Sequence, residues 1–222
     1  MTDAAQSLQE QAYHALLQRI IYSEYRPGMK LVLKEVSEDL EMGRTPIRES
    51  LVRLGQQDIV YTVPQSGTFV SKIDMNAAEQ ARFMREQLER TVAVECCVRA
   101  GKADLALLAA DIEEQERFAE EGQKRAFFDA DNLFHQHLFE IADRALLWGW
   151  LDASSINLLR YRWLRVLVGE LSWDHIIAQH RTLYRAIEQR RPDEVEYLIA
   201  SHLHLMLEER GAVMQAFPDC FA

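Results

Sequence analysis

One carboxylate and three imidazoles carry the most distinctive chemistry in this chain: Asp131, His135, His180 and His202. Asp131 and His135 stand four residues apart in a stretch where Phe127, Phe128, Phe134, Leu138, Ile141 and Ala142 recur at helical spacing, so both fall on the apolar face. His180 falls within the stripe Ile176, Ile177, Leu183, Tyr184 and Ile187, and His202 within Val195, Leu198, Ile199, Leu205 and Met206. Three helices thus each aim an imidazole, or an imidazole and a carboxylate, into one interior. Unpaired polar burial costs several kcal/mol per group, and a divalent metal would satisfy all four groups together. The set suits Zn2+ first, with Ni2+, Mn2+ and Fe2+ also compatible. His137, His175 and His204 lie off these stripes. On pattern alone a second reading stands beside the metal: each histidine a core residue hydrogen-bonded to a neighbour.

Four protein ligands leave positions open on a six-coordinate ion, and a small carboxylate effector could fill them. Arg85 shares an inward stripe with Met84, Leu88 and Val92 and is placed to pair with such a carboxylate; a salt bridge to Glu89 or Asp131 is the alternative. Arg160, Arg162 and Arg165, interleaved with Tyr161 and Trp163, form a cation-aromatic helix, of which one arginine is expected at the pocket and most on the surface.

A second constellation lies near the N-terminus. Arg44 and Arg48, four apart, share a face at the start of a helix running from about Thr45 to Gln56, with Thr45 as its cap and Pro46 in its first turn. A planar guanidinium fits guanine O6 and N7 in the major groove or clamps a phosphate. Lys34 opens the preceding helix and can meet the DNA backbone. Gln65, Ser66 and Gly67 form a turn that would let a hairpin tip approach a duplex. The competing reading makes Arg44 and Arg48 surface arginines paired with Glu41 or Glu49.

The elements that must position these groups follow from periodicity. Helices are predicted over 8–24, 33–40 and 45–56, then strands over 59–63 and 68–71 joined through Pro64–Gly67: the order of a winged helix-turn-helix. Beyond Asn76 no strand is predicted, and helical blocks fall at 76–100, 103–121, 125–142, 145–168, 173–190 and 192–215. The fold class is therefore mainly α: a winged helix-turn-helix over 1–73 and an all-α bundle of six to seven helices over 74–222. The chain of 222 residues is 48% hydrophobic and 27% charged, which is ordinary for a soluble protein. No stretch of about 18 apolar residues predicts a membrane span. The N-terminus lacks a signal-peptide pattern, and the three cysteines, Cys96, Cys97 and Cys220, show no metal spacing or disulfide framework, so a cytoplasmic location is expected. The net charge of −10 gives DNA no general attraction: residues 1–74 hold 8 Lys/Arg against 10 Asp/Glu, and residues 75–222 hold 17 against 25. Nucleic-acid binding must rest on where cations lie.

With these motifs in view, Arg26-Pro27-Gly28, the run Gly43 to Leu51 (GRTPIRESL) and the run Pro64 to Val70 (PQSGTFV) resemble the GntR family of bacterial regulators, and the helical remainder resembles the FCD-type effector domain of its FadR branch. The resemblance implies base or phosphate contacts from Arg44 and Arg48, a phosphate contact from Lys34 and a minor-groove wing at Gly67. It implies a metal on Asp131, His135, His180 and His202, where metal-binding members carry an aspartate and three histidines. Three departures stand out. Glu41 and Asp58 occupy positions where glycine is common, and Gln179 stands where a glutamate often precedes a ligand. The function expected is that of a homodimeric DNA-binding regulator reading an operator under control of a small organic acid such as a hydroxy-carboxylate. A metal-dependent enzyme, or a regulator for which the metal itself is the signal, are the alternatives.

Overall fold

The computed structural model describes residues 7–222, which form two compact units: residues up to Met75 together with Phe217–Ala222, and Asn76–Ala216. The first six residues, which the sequence places at the start of the winged domain, lie outside the described residues.

The first unit holds α1 (Leu8–Ile21), β1 (Lys30–Leu31), α2 (Leu33–Asp39), α3 (Arg44–Gln56), β2 (Val60–Val63) and β3 (Gly67–Val70). Ser7 caps α1 by accepting the Glu10 N–H, and Ala12, Leu16 and Ile20 pack with Ile47, Leu54 and Val70 in a fully buried core. The strands form an antiparallel sheet in the order β1–β3–β2. β1 was not expected, since two residues are too few to show an alternating pattern. Thr45 is not the cap of α3: Gly43 holds that position and Arg44 is the first helical residue. Pro46, expected as the first helical residue, is the third, two positions deeper, and is tolerated there because the first four helical N–H groups have no intrahelical partner.

Glu41, in the turn between α2 and α3, and Asp58, after α3, both adopt left-handed backbone, with φ of 53° and 58°, which is why glycine suits both positions. The C-terminal tail adds to this unit: Ile73 pairs in parallel with Phe221, and its N–H donates to the Cys220 carbonyl at 2.8 Å. The sequence reading had put the division at 73/74 and left residues 217–222 with the helical domain.

The second unit is a bundle of seven helices: α4 (Met75–Arg99, beginning one residue inside the first unit), α5 (Lys102–Glu120), α6 (Lys124–Ile141), α7 (Ala145–Ser154), α8 (Ile156–Leu167), α9 (Trp173–Glu188) and α10 (Pro192–Ala216). The single block expected over 145–168 splits at Ser155. The hydroxyls of Ser154 and Ser155 bond back to the Trp150 and Leu151 carbonyls, and Ser155 leaves helical geometry. α4 and α10 run antiparallel, in a register fixed by Arg90–Glu196 at 2.6 Å, Glu86–His204 at 3.1 Å and Glu79–Arg210 at 3.9 Å. Among the described residues no helix is long and apolar enough to cross a membrane.

Candidate metal centre and nucleic-acid interface

α6, α9 and α10 bring His135, His180 and His202 together: one ring nitrogen from each lies within 4.8 Å of the other two. Amide partners orient two of the rings. Gln115 of α5, fully buried, donates from Nε2 to the Ala130 carbonyl, which leaves its oxygen facing His180; His180 therefore donates its Nδ1–H to Gln115 Oε1 at 2.8 Å. Gln179 donates to His175 Nε2 and accepts the His202 Nδ1–H on Oε1, also at 2.8 Å. Both rings consequently turn a bare Nε2 inward, and the two Nε2 atoms stand 3.4 Å apart. His135 presents a fully buried Nε2 with no hydrogen-bond partner, while its Nδ1 lies 2.9 Å from Glu89 Oε2, out of line for a hydrogen bond.

Burial sets the charge state of these rings. It pushes the His180 imidazole down to about 4 and holds His135 and His202 well below the usual histidine range. At neutral pH three uncharged nitrogen donors thus converge on one point. Two lone pairs facing each other repel unless a cation lies between them, and orientation of a ring through its other nitrogen is the usual support for a metal-binding histidine. The donor chemistry fits a divalent transition metal.

Asp131 sits at the edge of this group, with Oδ1 3.9 Å from His180 Nε2 and Oδ2 paired with Arg162. Burial alone would raise its pKa; the Arg162 guanidinium, and after it His180, outweigh burial and keep it ionised below the usual carboxylate range. Arg85 is buried and bonded to Glu89 at 2.6 Å, the alternative left open by the sequence.

The arginines of α8 depart from expectation. Arg160 and Arg165 are buried, not surface residues, and Arg162 and Arg165 both line the cavity beside the histidines, because α8 is packed on nearly every side. Met84, expected inward with Arg85, is exposed. Of the residues around the histidines, Gln115 and its role are not picked out from the sequence, whereas Glu89 is named there as a partner for Arg85 and Arg162 as one of three arginines of which one is expected at the pocket. For Gln115 a signal was present: it continues the inward stripe Leu108, Asp111, Ile112 of α5.

In the first unit, Arg44, Thr45 and Arg48 are exposed at the start of α3, Lys34 is exposed at the start of α2, and Gln65 and Ser66 are exposed at the hairpin turn. Among the described residues Arg44 and Arg48 make no ion pair, whereas Arg19 pairs with Glu24 and Arg53 with Glu10. Lys34 lies 3.8 Å from Glu38. Gly67 has a φ of 127°, a conformation L side chains rarely adopt, so the backbone calls for glycine at the wing, while the 2.8 Å approach of a Cβ to Lys30 Cε could be relieved by the lysine's flexible end. Two bare guanidiniums leading a helix, beside a hairpin whose tip carries no bulk, form a surface suited to duplex grooves.

A winged helix-turn-helix joined to a helical sensor bundle defines the class: a DNA-binding transcriptional regulator. Residues 8–70 match the bacterial regulatory proteins of the gntR family, and residues 80–205 match the FCD domain. The chain belongs to the GntR family and carries an FCD domain. It is 28% identical over 223 residues to the HTH-type transcriptional repressor RspR of Escherichia coli K12, covering 98% of this chain and 95% of that protein. It is 25% identical to the Nta operon transcriptional regulator of Aminobacter aminovorans, covering 87% and 92%. Among solved structures, E. coli McbR/YncC shares the fold with a TM-score of 0.80 at 18% identity, covering 96% of this chain and 99% of that one. A GntR regulator from Rhodococcus sp. RHA1 does so with 0.73 at 17%, covering 96% and 100%.

Proposed function

We propose that this regulator is a homodimer of the FadR branch whose affinity for a two-fold-related operator is set by a small carboxylate bound at a metal-containing pocket in the helical unit. The observation that carries the metal is the pair of inward Nε2 atoms on His180 and His202, with the orphaned Nε2 of His135 beside them. His135, His180 and His202 would hold the ion and Asp131 would add a carboxylate oxygen, while Gln115 and Gln179 keep the rings oriented. Zn2+ fits first, with Ni2+ or Mn2+ compatible. When bound, the ion supplies a Lewis-acidic position for a ligand carboxylate. Arg85 and Arg162, at the same end of the cavity, supply charge-assisted hydrogen bonds to it. The effector acts only through a difference in affinity between two arrangements of the DNA-reading units. A two-fold operator follows from two winged helices related by a dimer axis.

Arg44, Thr45 and Arg48 read the major groove, Lys34 contacts phosphate, and Gln65, Ser66 and Gly67 enter the minor groove. The protein is not an enzyme on this reading: Glu89 and Asp131, the carboxylates nearest the histidines, are each paired with an arginine, Arg85 and Arg162. The test is operator binding by the full chain to fragments flanking its own gene, with metal retained or removed by EDTA and with small acids added. A carboxylate that changes affinity with metal retained supports the effector reading. A switch driven by EDTA alone would make the metal the signal, and turnover of the acid would favour an enzyme.

A further inference from the structure

The cavity beside the histidines has two polar ends. At one, Asp131, Arg162, Arg85 and His202 meet. The other follows from the register of α4 against α10. Because Glu86 is level with His204 and Glu79 with Arg210, Arg82 lies level with Met206 to Glu209. There Arg165 is held by both oxygens of Glu209, at 2.7 and 2.9 Å. Arg85 and Arg82 stand three residues apart on α4, about 4.5 Å at the helical rise, and His202 and Glu209 seven apart on α10, about 10 Å. The rest of the lining is largely hydrocarbon, Phe127, Phe128, Leu158, Val166, Leu203 and Met206 among it. The one hydroxyl on this stretch, that of Tyr161, is already donated to the Met206 carbonyl at 2.9 Å.

Among the described residues, three buried guanidinium nitrogens of arginines that line this cavity have no hydrogen-bond partner: Arg85 Nη2 at the histidine end, and Arg82 Nε and Arg165 Nη1 at the far end. Their side chains are only 4%, 7% and 6% exposed, so water does little for them. The charge count points the same way. Arg82, Arg85, Arg162 and Arg165 are balanced by Glu86, Glu89, Asp131 and Glu209. A divalent ion on the histidines leaves two positive charges uncompensated in a poorly solvated space, which is costly.

We propose that the effector is a dicarboxylate with an unsubstituted hydrocarbon spacer: one carboxylate at the histidine end beside Arg85 and Arg162, the second between Arg82 and Arg165. This rests on the effector reading above and narrows it away from hydroxylated acids, because the wall between the ends offers a spacer no unsatisfied hydrogen-bonding side chain. The cavity leaves about 70 Å³ open to the centres of water-sized molecules, room for a small acid.

The test is calorimetric titration of the zinc-loaded full chain with succinate and glutarate, each paired with the monoacid of equal carbon number, butyrate and pentanoate. A charge-assisted second contact should make each dicarboxylate at least about tenfold tighter than its partner. That advantage should shrink to about twofold in Arg82→Gln. It should shrink likewise in Arg165→Gln, or, should Glu209 left alone prevent folding, in the Arg165→Gln/Glu209→Gln pair. Equal affinities for the two acids, or a dicarboxylate advantage that survives both changes, overturn the inference. Monoacids that bind and alter operator affinity would leave the effector reading standing without it, whereas binding of neither kind of acid sinks that reading itself.

Discussion

The two units handle the same residue, arginine, in opposite ways. At the start of α3, Arg44 and Arg48 are exposed with no ionic partner among the described residues, although the surrounding segment carries more acids than bases. In the helical bundle, Arg82, Arg85 and Arg165 are buried and each faces a carboxylate. Exposed and unpaired, a guanidinium keeps its donors for a partner that arrives from solution, such as a phosphate or a base edge. Buried and paired, it spends some donors on the fold and leaves a few aimed into a cavity. Function here follows from which donors remain unused, and net charge is a poor guide to it.

The sharpest break in this comparison comes from the exposed pair. Arg48→Ala should weaken operator binding by about 10- to 100-fold, the scale of one lost bidentate base contact, with metal content and thermal unfolding unchanged. Gel-shift titration beside metal analysis checks this, and unaltered operator affinity would remove the DNA-reading assignment. The buried side is probed by Gln115→Leu, which takes away the acceptor that orients His180. Metal affinity should fall about 10- to 100-fold, as for other lost partners of ligating histidines, read by competition with a chromophoric chelator, while operator binding without effector stays near normal.

Acid should separate the units next. His180 is neutral in the fold, with a pKa of about 4 against 6.5 when exposed, so between those values the unfolded chain binds more protons. The stability this gives is complete above about pH 6.5 and erodes as pH falls towards 4, on the order of 2 kcal/mol by pH 5 for such a group. His135 and His202 act in the same direction. In metal-free protein, the protection of amide hydrogens within α6, α9 and α10, corrected for the fall of the intrinsic exchange rate with pH, should therefore drop on acidification well before that within α1 and α3; equal acid sensitivity would contradict the buried neutral cluster. The smallest effect is expected at the left-handed turn. Glu41→Gly relieves about 1–2 kcal/mol of backbone strain against a backbone-entropy cost of about 0.5–1 kcal/mol, so the winged unit should gain under about 1 kcal/mol in denaturant unfolding. Removing that charge beside α3 should also raise DNA affinity slightly at low salt.

Much of this was legible in the chain. The helical period placed Asp131, His135, His180 and His202 on inward stripes, and the turn chemistry around Gly43–Pro46 and Pro64–Gly67 marked the winged helix. Gln115 was not picked out: its place on the inward stripe of α5 marks it as buried, but that it orients a histidine shows only once its neighbour His180 is known. Burial of the α8 arginines departs from expectation because charge predicts exposure on average, and carboxylates supplied by α6 and α10 make the burial of Arg162 and Arg165 tolerable. The tail at Phe221 escaped because a backbone pairing with Ile73 leaves no local trace.

The sequence by itself determined what is local: which residues repeat at helical spacing, where the chain must turn, and which cations lead α3. Tertiary structure alone decided what is relational. It set which nitrogen of each imidazole is bare, which guanidinium atoms lack a partner, and which ends of α4 and α10 are level. Spacing along a helix fixes the face a side chain leaves from, but hydrogen-bond partners come from other helices, whose register no single stretch of sequence contains.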